Sequence, residues 1–101
     1  MLLPGAEALG MSHRECQELL ESVEDTLDLL TSTLTYLIYA ESKKNQPDKA
    51  LISVWKAMQQ EIVNIEYSLP GADVTAYKQV LTNYRERHRE LRQQVARYRD
   101  N

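Results

Sequence analysis

Apolar residues recur every three or four positions along three stretches of the chain. In the first stretch the spacing runs 4, 3, 4, 3, 4, 3, and the other two follow the same alternation. The three series are Cys16, Leu20, Val23, Leu27, Leu30, Leu34 and Leu37, then Leu51, Trp55, Met58, Ile62, Ile65 and Leu69, and then Val74, Tyr77, Leu81, Tyr84, His88, Leu91, Val95 and Tyr98. This spacing predicts three amphipathic helices, whose stripes bury one another best at a shallow crossing angle. Since the connections are short, we predict an all-α fold, an antiparallel up-down-up three-helix bundle with coiled-coil-like seams.

Local signals place the three helices at about 13–41, 47–69 and 73–99. Ser12-His13-Arg14-Glu15 is a capping box at the start of the first helix. Pro47 suits the first turn of the second helix, because its missing N–H would have no partner there. Leu69-Pro70-Gly71 breaks the chain, and Asp73 is a cap for the third helix. Residues 34–39 resemble a strand in isolation, but the helical spacing passes through them unbroken.

Residues 1–11 precede this pattern and show no period of their own. They contain Pro4, Gly5 and Gly10, which favour turns over regular structure. We predict a disordered leader over 1–11 and a bundle over 12–101. The alternative is a short apolar peptide, carrying Leu2, Leu3 and Leu9, that docks on a partner. The helices differ in length, so we also expect an overhanging end whose apolar positions something else must cover.

Composition and charge narrow the class of protein. The 101 residues include one Cys, which excludes an internal disulfide. The longest uncharged run, Leu29–Ala40, is shorter than the roughly 18 to 20 apolar residues of a membrane span. We therefore expect no membrane insertion by this chain itself and a cytoplasmic location, which suits a free thiol. If the chain belongs to a longer protein, the cytosolic face of endomembranes is the expected site.

The first and third helices carry opposite charge. Residues 12–41 have a net charge of −6, whereas residues 73–101 have a net charge of +3. These two helices lie parallel in the predicted bundle, so their fields should attract. Exposed pairs of this kind contribute about 0–1 kcal/mol each, so they specify the pairing more than they stabilise it.

Candidate chemistry is sparse. His13 and Cys16 are three residues apart on one helix, but two ligands make half a zinc site. His88 occupies a seam position, which favours a partly buried ring and, at most, a pH-sensitive core. The sequence has no phosphate-binding glycine loop and no nucleophile elbow. We therefore predict no enzyme, no catalytic or metal-binding residues and no cofactor.

Two groups of side chains are candidates for partner binding. Tyr36, Ile38 and Tyr39 lie off the seam of the first helix, and they form an aromatic-aliphatic patch if exposed or widen the core if buried. Arg85, Arg92 and Arg99 repeat every seven residues and form a basic stripe beside the third seam. Arginines on a helix also suit nucleic-acid phosphates, but the chain is acidic, with a pI near 5.3, and has no recognised motif. We expect a protein partner, and nucleic-acid binding through these arginines is a less favoured alternative.

About half of the chain resembles the N-terminal regulatory domains of Qb-type SNARE proteins, the Vti group in particular. The matching residues are Met58-Gln59-Gln60-Glu61 through Ser68-Leu69-Pro70, then Tyr77-Lys78 and Leu81-Thr82-Asn83-Tyr84-Arg85, leading into Leu91 and Val95. The resemblance implies a three-helix bundle that acts as a cytosolic adaptor-binding module in vesicle traffic. The SNARE motif and the membrane anchor do not appear in the sequence, so we expect either an excised domain or a likeness of architecture alone.

The rival interpretation is a small helical adaptor, secretion chaperone or complex subunit whose seam is completed by another chain. An excised regulatory domain should be a stable monomer with its seam closed internally. A subunit should instead dimerise or fold fully only with its partner. A melting temperature that does not change with protein concentration would exclude the subunit that needs a partner to fold.

Overall fold

The computed structural model describes residues 2–99 and contains three α-helices. They are α1 (His13–Ser42), α2 (Lys49–Ser68) and α3 (Val74–Arg99). No strand occurs in residues 2–99, and residues 34–39 lie within α1. Since α1 packs against both α2 and α3, the predicted all-α three-helix bundle is confirmed.

Side-chain contacts fix the helix directions. On α1, the Thr33 hydroxyl lies 3.4 Å from Nε2 of His88, and further along α1 Glu41 accepts a hydrogen bond from Tyr98. Successive residues of α1 thus meet successive residues of α3, so these helices are parallel. The order reverses for α2, because Trp55 near its start contacts the ring of Tyr98 near the end of α3. The up-down-up arrangement is therefore confirmed.

Long aromatic side chains span the space between α2 and α3. The backbones of these two helices stay more than 8 Å apart, Cα to Cα, throughout the described residues. Trp55 and Tyr98 meet edge to face with ring centroids 6.4 Å apart, and the Tyr84 hydroxyl donates to Oε1 of Glu61 at 2.6 Å. Tyrosine at seam positions of α3 therefore suits a gap that shorter side chains would leave open.

The stripe of α1 that faces the other helices, here called the inner seam, is almost entirely buried. Its buried members are Cys16, Val23, Leu27, Leu30, Leu34, Leu37 and, at its end, Glu41. Leu20 was predicted in this stripe but is half-buried, whereas its neighbour Leu19 is buried. Leu20 instead lines an open groove with Leu69 and Tyr77 at the end of α2.

Capping side chains explain where the helices begin. The capping box at Ser12 is confirmed, with the Glu15 N–H donating to its hydroxyl at 3.1 Å and the Glu15 carboxylate accepting from the Ser12 N–H. Asp73 is confirmed as a cap, since its carboxylate accepts from Ala76 N–H at 2.9 Å. The prediction for α2 is wrong by two residues, because Asp48 accepts from Leu51 N–H and makes Lys49 the first helical residue. Pro47 therefore precedes the cap.

Gly71 allows the tight turn between α2 and α3. Its φ is 85°, a left-handed conformation that side chains with a Cβ rarely adopt. The Leu69 carbonyl accepts from Ala72 N–H at 2.8 Å across this turn. The sharp reversal lets α3 start beside the end of α2 and return along α1.

The N-terminal residues differ from the predicted disordered leader. Residues 4–10 form turns, with Leu3 and Ala6 buried in the core. The Pro4 carbonyl accepts from the backbone N–H of Val74 at 2.9 Å, which satisfies a donor in the first turn of α3. The leader is ordered because apolar side chains at this end of the bundle would otherwise be exposed to water. Leu3 and Ala6 of the leader join that core, so this segment is part of the folded unit.

Candidate interaction surface

A second stripe of α1, opposite the inner seam, lies on the surface and is here called the outer stripe. Its members are Asp25, Leu29, Ser32, Tyr36 and Tyr39 of α1 and Lys43, the C-cap residue that follows the helix; they repeat at 4, 3, 4, 3, 4 and are all exposed. Leu29 is 54% exposed, Tyr36 39% and Tyr39 60%. Among the described residues seven large apolar side chains are exposed, and three of them share this one stripe. An aligned set of this kind is typical of a contact surface, whereas scattered exposed residues need no explanation.

Helical geometry explains which of the predicted patch residues reach the surface. A residue two positions beyond the seam leucine Leu34 turns about 200° away from it, so Tyr36 points outward. Ile38 stands one turn beyond Leu34, and the structure packs it, half-buried, against the core. Of the two alternatives left open for Ile38, the structure therefore favours a place beside the core over a place in the exposed patch. Leu29 is instead the exposed aliphatic residue that accompanies the two tyrosines. It stands seven residues before Tyr36, and this helical spacing is visible in the sequence.

The charge on the exposed surface of α1 changes sign along the helix. The N-terminal half of α1 exposes carboxylates at Glu18, Glu21, Asp25 and Asp28. The C-terminal end instead has Lys43, whose Nζ lies 5.1 Å from the centroid of the Tyr39 ring. A cation over an aromatic face is attracted by the ring quadrupole, so this contact holds positive charge beside the apolar centre of the stripe.

The predicted arginine stripe lies on the surface of α3. Arg85, Arg92 and Arg99 are all exposed. Arg85 and Arg92 lie one turn either side of His88, which touches Thr33 of α1, so they border the C-terminal half of α1. Burial lowers the pKa of His88, and the positive charge of Arg92 lowers it further.

A buried carboxylate joins the three chain segments at the end of the bundle. Glu41 is 2% exposed and accepts from Asp48 N–H at 2.9 Å, from the Tyr98 hydroxyl, and from Lys44 at 3.0 Å. The Asp48 N–H is the main cause that lowers the pKa of Glu41 to about 2, with Tyr98 and Lys44 adding to it. Burial, reinforced by the bond to Glu41, raises the pKa of Tyr98 to about 12. The sequence pattern did not predict this cluster. The available sign was that Glu41 stands four residues after Leu37, where the spacing of the inner seam places a buried residue.

A second polar cluster links α2 to α3. Glu61 accepts from the Tyr84 hydroxyl and from Arg87 at 3.1 Å. Burial, together with the bond to Glu61, raises the pKa of Tyr84 to about 12. Both carboxylate oxygens of Glu61 have a partner on α3, which is the arrangement of a structural clamp between two separated helices.

The residues considered for metal binding do not converge. Cys16 is buried in the core, whereas His13 is exposed at the start of α1. Across residues 2–99, no three His, Cys, Asp or Glu side chains are grouped closely enough to hold a metal ion.

The helices were also compared with the length and apolarity of membrane spans. None of those in the described part of the chain is long and apolar enough to cross a membrane.

Comparisons of this chain with protein-family models, with curated proteins and with solved structures give no match.

Proposed function

We propose that this chain is a non-enzymatic protein–protein interaction module that binds its partner through the outer stripe of α1. The observation that carries the proposal is the alignment of Leu29, Tyr36 and Tyr39 on the bare face of a helix. Tyrosine is a favoured anchor in protein interfaces, because it offers a large apolar area and a polar tip.

Burial of the seams supports a module that folds by itself. Leu30, Leu34 and Leu37 of the inner seam are fully buried by residues of this chain. The seam of α3 is likewise covered at Tyr77, Tyr84 and Leu91. This pattern favours an independent domain over a subunit whose core needs another chain to complete it.

A narrower form of the proposal is a regulatory domain of a vesicle-trafficking SNARE, acting in the cytoplasm. Its support is the three-helix architecture together with the resemblance of α2 and the first half of α3 to Qb-type domains. In this form the outer stripe binds a trafficking adaptor.

Nucleic-acid binding through Arg85, Arg92 and Arg99 is the less favoured alternative. The exposed carboxylates of α1 lie on the neighbouring helix, and they repel phosphates. Binding of this type would fall steeply as salt is added.

The test compares capture of proteins by three forms of the chain immobilised on a resin. We expect the wild type and Tyr67→Ala to retain the same specific partner, because Tyr67 is 83% exposed but lies on α2, away from the outer stripe. The double variant Tyr36→Ala/Tyr39→Ala should lose that partner while keeping its helical circular dichroism. Capture that survives in the folded double variant would remove the outer stripe as the site.

A further inference from the structure

We infer that the outer stripe of α1 pairs with the outer stripe of a second copy of this chain, antiparallel, about a twofold axis level with Leu34. The inference rests on the proposed function, because it names the occupant of the same surface. It is carried by the order of charged, apolar and polar residues along the stripe.

The register follows from the spacing. With the axis level with Leu34, Asp25 of one copy faces Lys43 of the other. The same operation places Leu29 opposite Tyr39, and Ser32 opposite Tyr36. Opposite charges therefore meet at both ends, Leu29 meets Tyr39 next to each end, and Ser32 meets Tyr36 at the centre. The alternation of four and three is the one that antiparallel helices need for knobs-into-holes packing.

The geometry of α1 makes the stripe continuous. Asp25 and Lys43 are separated by about five helical turns, or roughly 27 Å, so they lie on the same side of the helix. Because α2 and α3 pack on the inner seam, this side of α1 is left uncovered. In residues 2–99, neither Asp25 nor Lys43 forms an ion pair, so both charges are available to a second copy.

Charge also selects the antiparallel direction. A parallel pairing would stack the acidic half of α1 on itself, and would place Lys43 against Lys43. The antiparallel pairing instead brings the acidic half beside the basic end of the other copy. Arg92 and Arg99 of α3 lie level with that end along the bundle, as the contacts of His88 with Thr33 and of Tyr98 with Glu41 show. Like charges placed together cost affinity, so one orientation is favoured.

The paired surface is small. It uses one face of one helix, which is less than the roughly 800 Å² per partner of a standard stable interface. We therefore expect a reversible dimer with a dissociation constant in the micromolar to submillimolar range.

The test uses charge reversal and sedimentation velocity from about 5 µM to about 500 µM protein. The wild type should convert from monomer to dimer over this range. Asp25→Lys and Lys43→Asp should each weaken dimerisation about tenfold or more, because each places like charges at both ends of the pair. An equimolar mixture of the two variants should form a heterodimer about as strong as the wild-type dimer. In that mixture every facing charge is again opposite.

Two matched controls carry the same changes in charge away from the stripe. Glu90→Lys on α3 and Lys49→Asp on α2 alter exposed residues, and both should dimerise as the wild type does. A wild type that stays monomeric to the highest concentration would overturn the inference, as would a mixture of the two variants that fails to associate.

The outcomes separate this inference from the proposed function. If the wild type is monomeric while Tyr36→Ala/Tyr39→Ala loses a different protein, the dimer is wrong and the interaction surface stands. If the charge variants behave as expected but no other protein depends on the tyrosines, self-association is the function of the stripe. If the tyrosine variant fails to fold, the charge-reversal series still decides the dimer.

Discussion

The two faces of α1 have the same spacing of residues, but one face is buried and the other is exposed. The inner seam places Leu30, Leu34 and Leu37 beneath two other helices, where they are fully buried. The outer stripe places Leu29 and Tyr36 in water at the same spacing of three and four. Periodicity therefore identifies a surface that can pack against a helix, but not which helix covers it. Composition separates the two faces, since the inner seam is nearly all aliphatic and the outer stripe mixes tyrosine with serine and charge.

The largest effect on stability should come from truncating Leu30 on the buried face, and its neighbour Leu29 on the exposed face gives the comparison. Leu30→Ala should lower the free energy of unfolding by about 3–5 kcal/mol, because it leaves a cavity in a fully buried site. Leu29→Ala removes the same atoms one residue earlier and should cost less than about 1 kcal/mol at protein concentrations below dimerisation. Urea titrations of both variants give the comparison directly. Equal losses would mean that the two faces are not distinct.

Much of the fold could be predicted because its determinants are local. The capping side chains of Ser12 and Asp73 lie within three residues of the groups they satisfy, so the sequence alone is sufficient to place them. The cap at Asp48 was missed because proline was a competing signal at the adjacent position. The leader was missed for a different reason. Its order depends on contacts with α3, more than 60 residues away in the sequence.

The candidate site was predicted only in part, for similar reasons. Tyr36 and Tyr39 were identified as off-seam residues, but sequence could not tell whether neighbouring helices cover them. The sequence left Ile38 open between core and surface, because a position beside the seam is buried or exposed according to where the neighbouring helices lie. The Glu41 cluster joins groups from α1, the following loop and the end of α3, and no local pattern brings these together.

The second prediction concerns the polar end of the inner seam. Glu41→Gln should destabilise the fold at neutral pH, because the amide NH₂ would face donors that the carboxylate now satisfies. The effect depends on pH in a defined direction. The folded-state pKa of Glu41 is about 2, below its ordinary value of 4.5. Its stabilisation is therefore present above about pH 4.5, and is lost as the pH falls towards 2.

Thermal melts from pH 7 to pH 2 test this pH dependence. The difference in melting temperature between wild type and Glu41→Gln should shrink across the interval from pH 4.5 to pH 2. Glu90→Gln, which alters an exposed carboxylate of α3, serves as the control and should follow the wild type at every pH. A difference that stays constant down to pH 2 would contradict the assigned cause.

The third prediction tests whether the leader belongs to the core. Leu3 is buried, although it lies outside every predicted helix. Leu3→Ala should lower the free energy of unfolding by about 1–3 kcal/mol, less than a central leucine because the end of the bundle can relax. Leu9→Ala is the control, since Leu9 belongs to the same segment and is exposed. Guanidinium titrations that show no loss for Leu3→Ala would return residues 2–11 to the status of a tail.

The smallest effect on the isolated fold should come from Tyr39→Ala. Its ring contacts Lys43 at the surface, and the loss of one exposed cation–π contact costs about 0.5–1 kcal/mol. Association changes this result with concentration, because a dimer stabilises the folded state by mass action. The wild-type melting temperature should therefore rise between dilute and concentrated samples, whereas that of Tyr39→Ala should stay nearly constant. A loss of several kcal/mol at every concentration would show that Tyr39 acts as a core residue, and the contrast between the two faces of α1 would fail at that position.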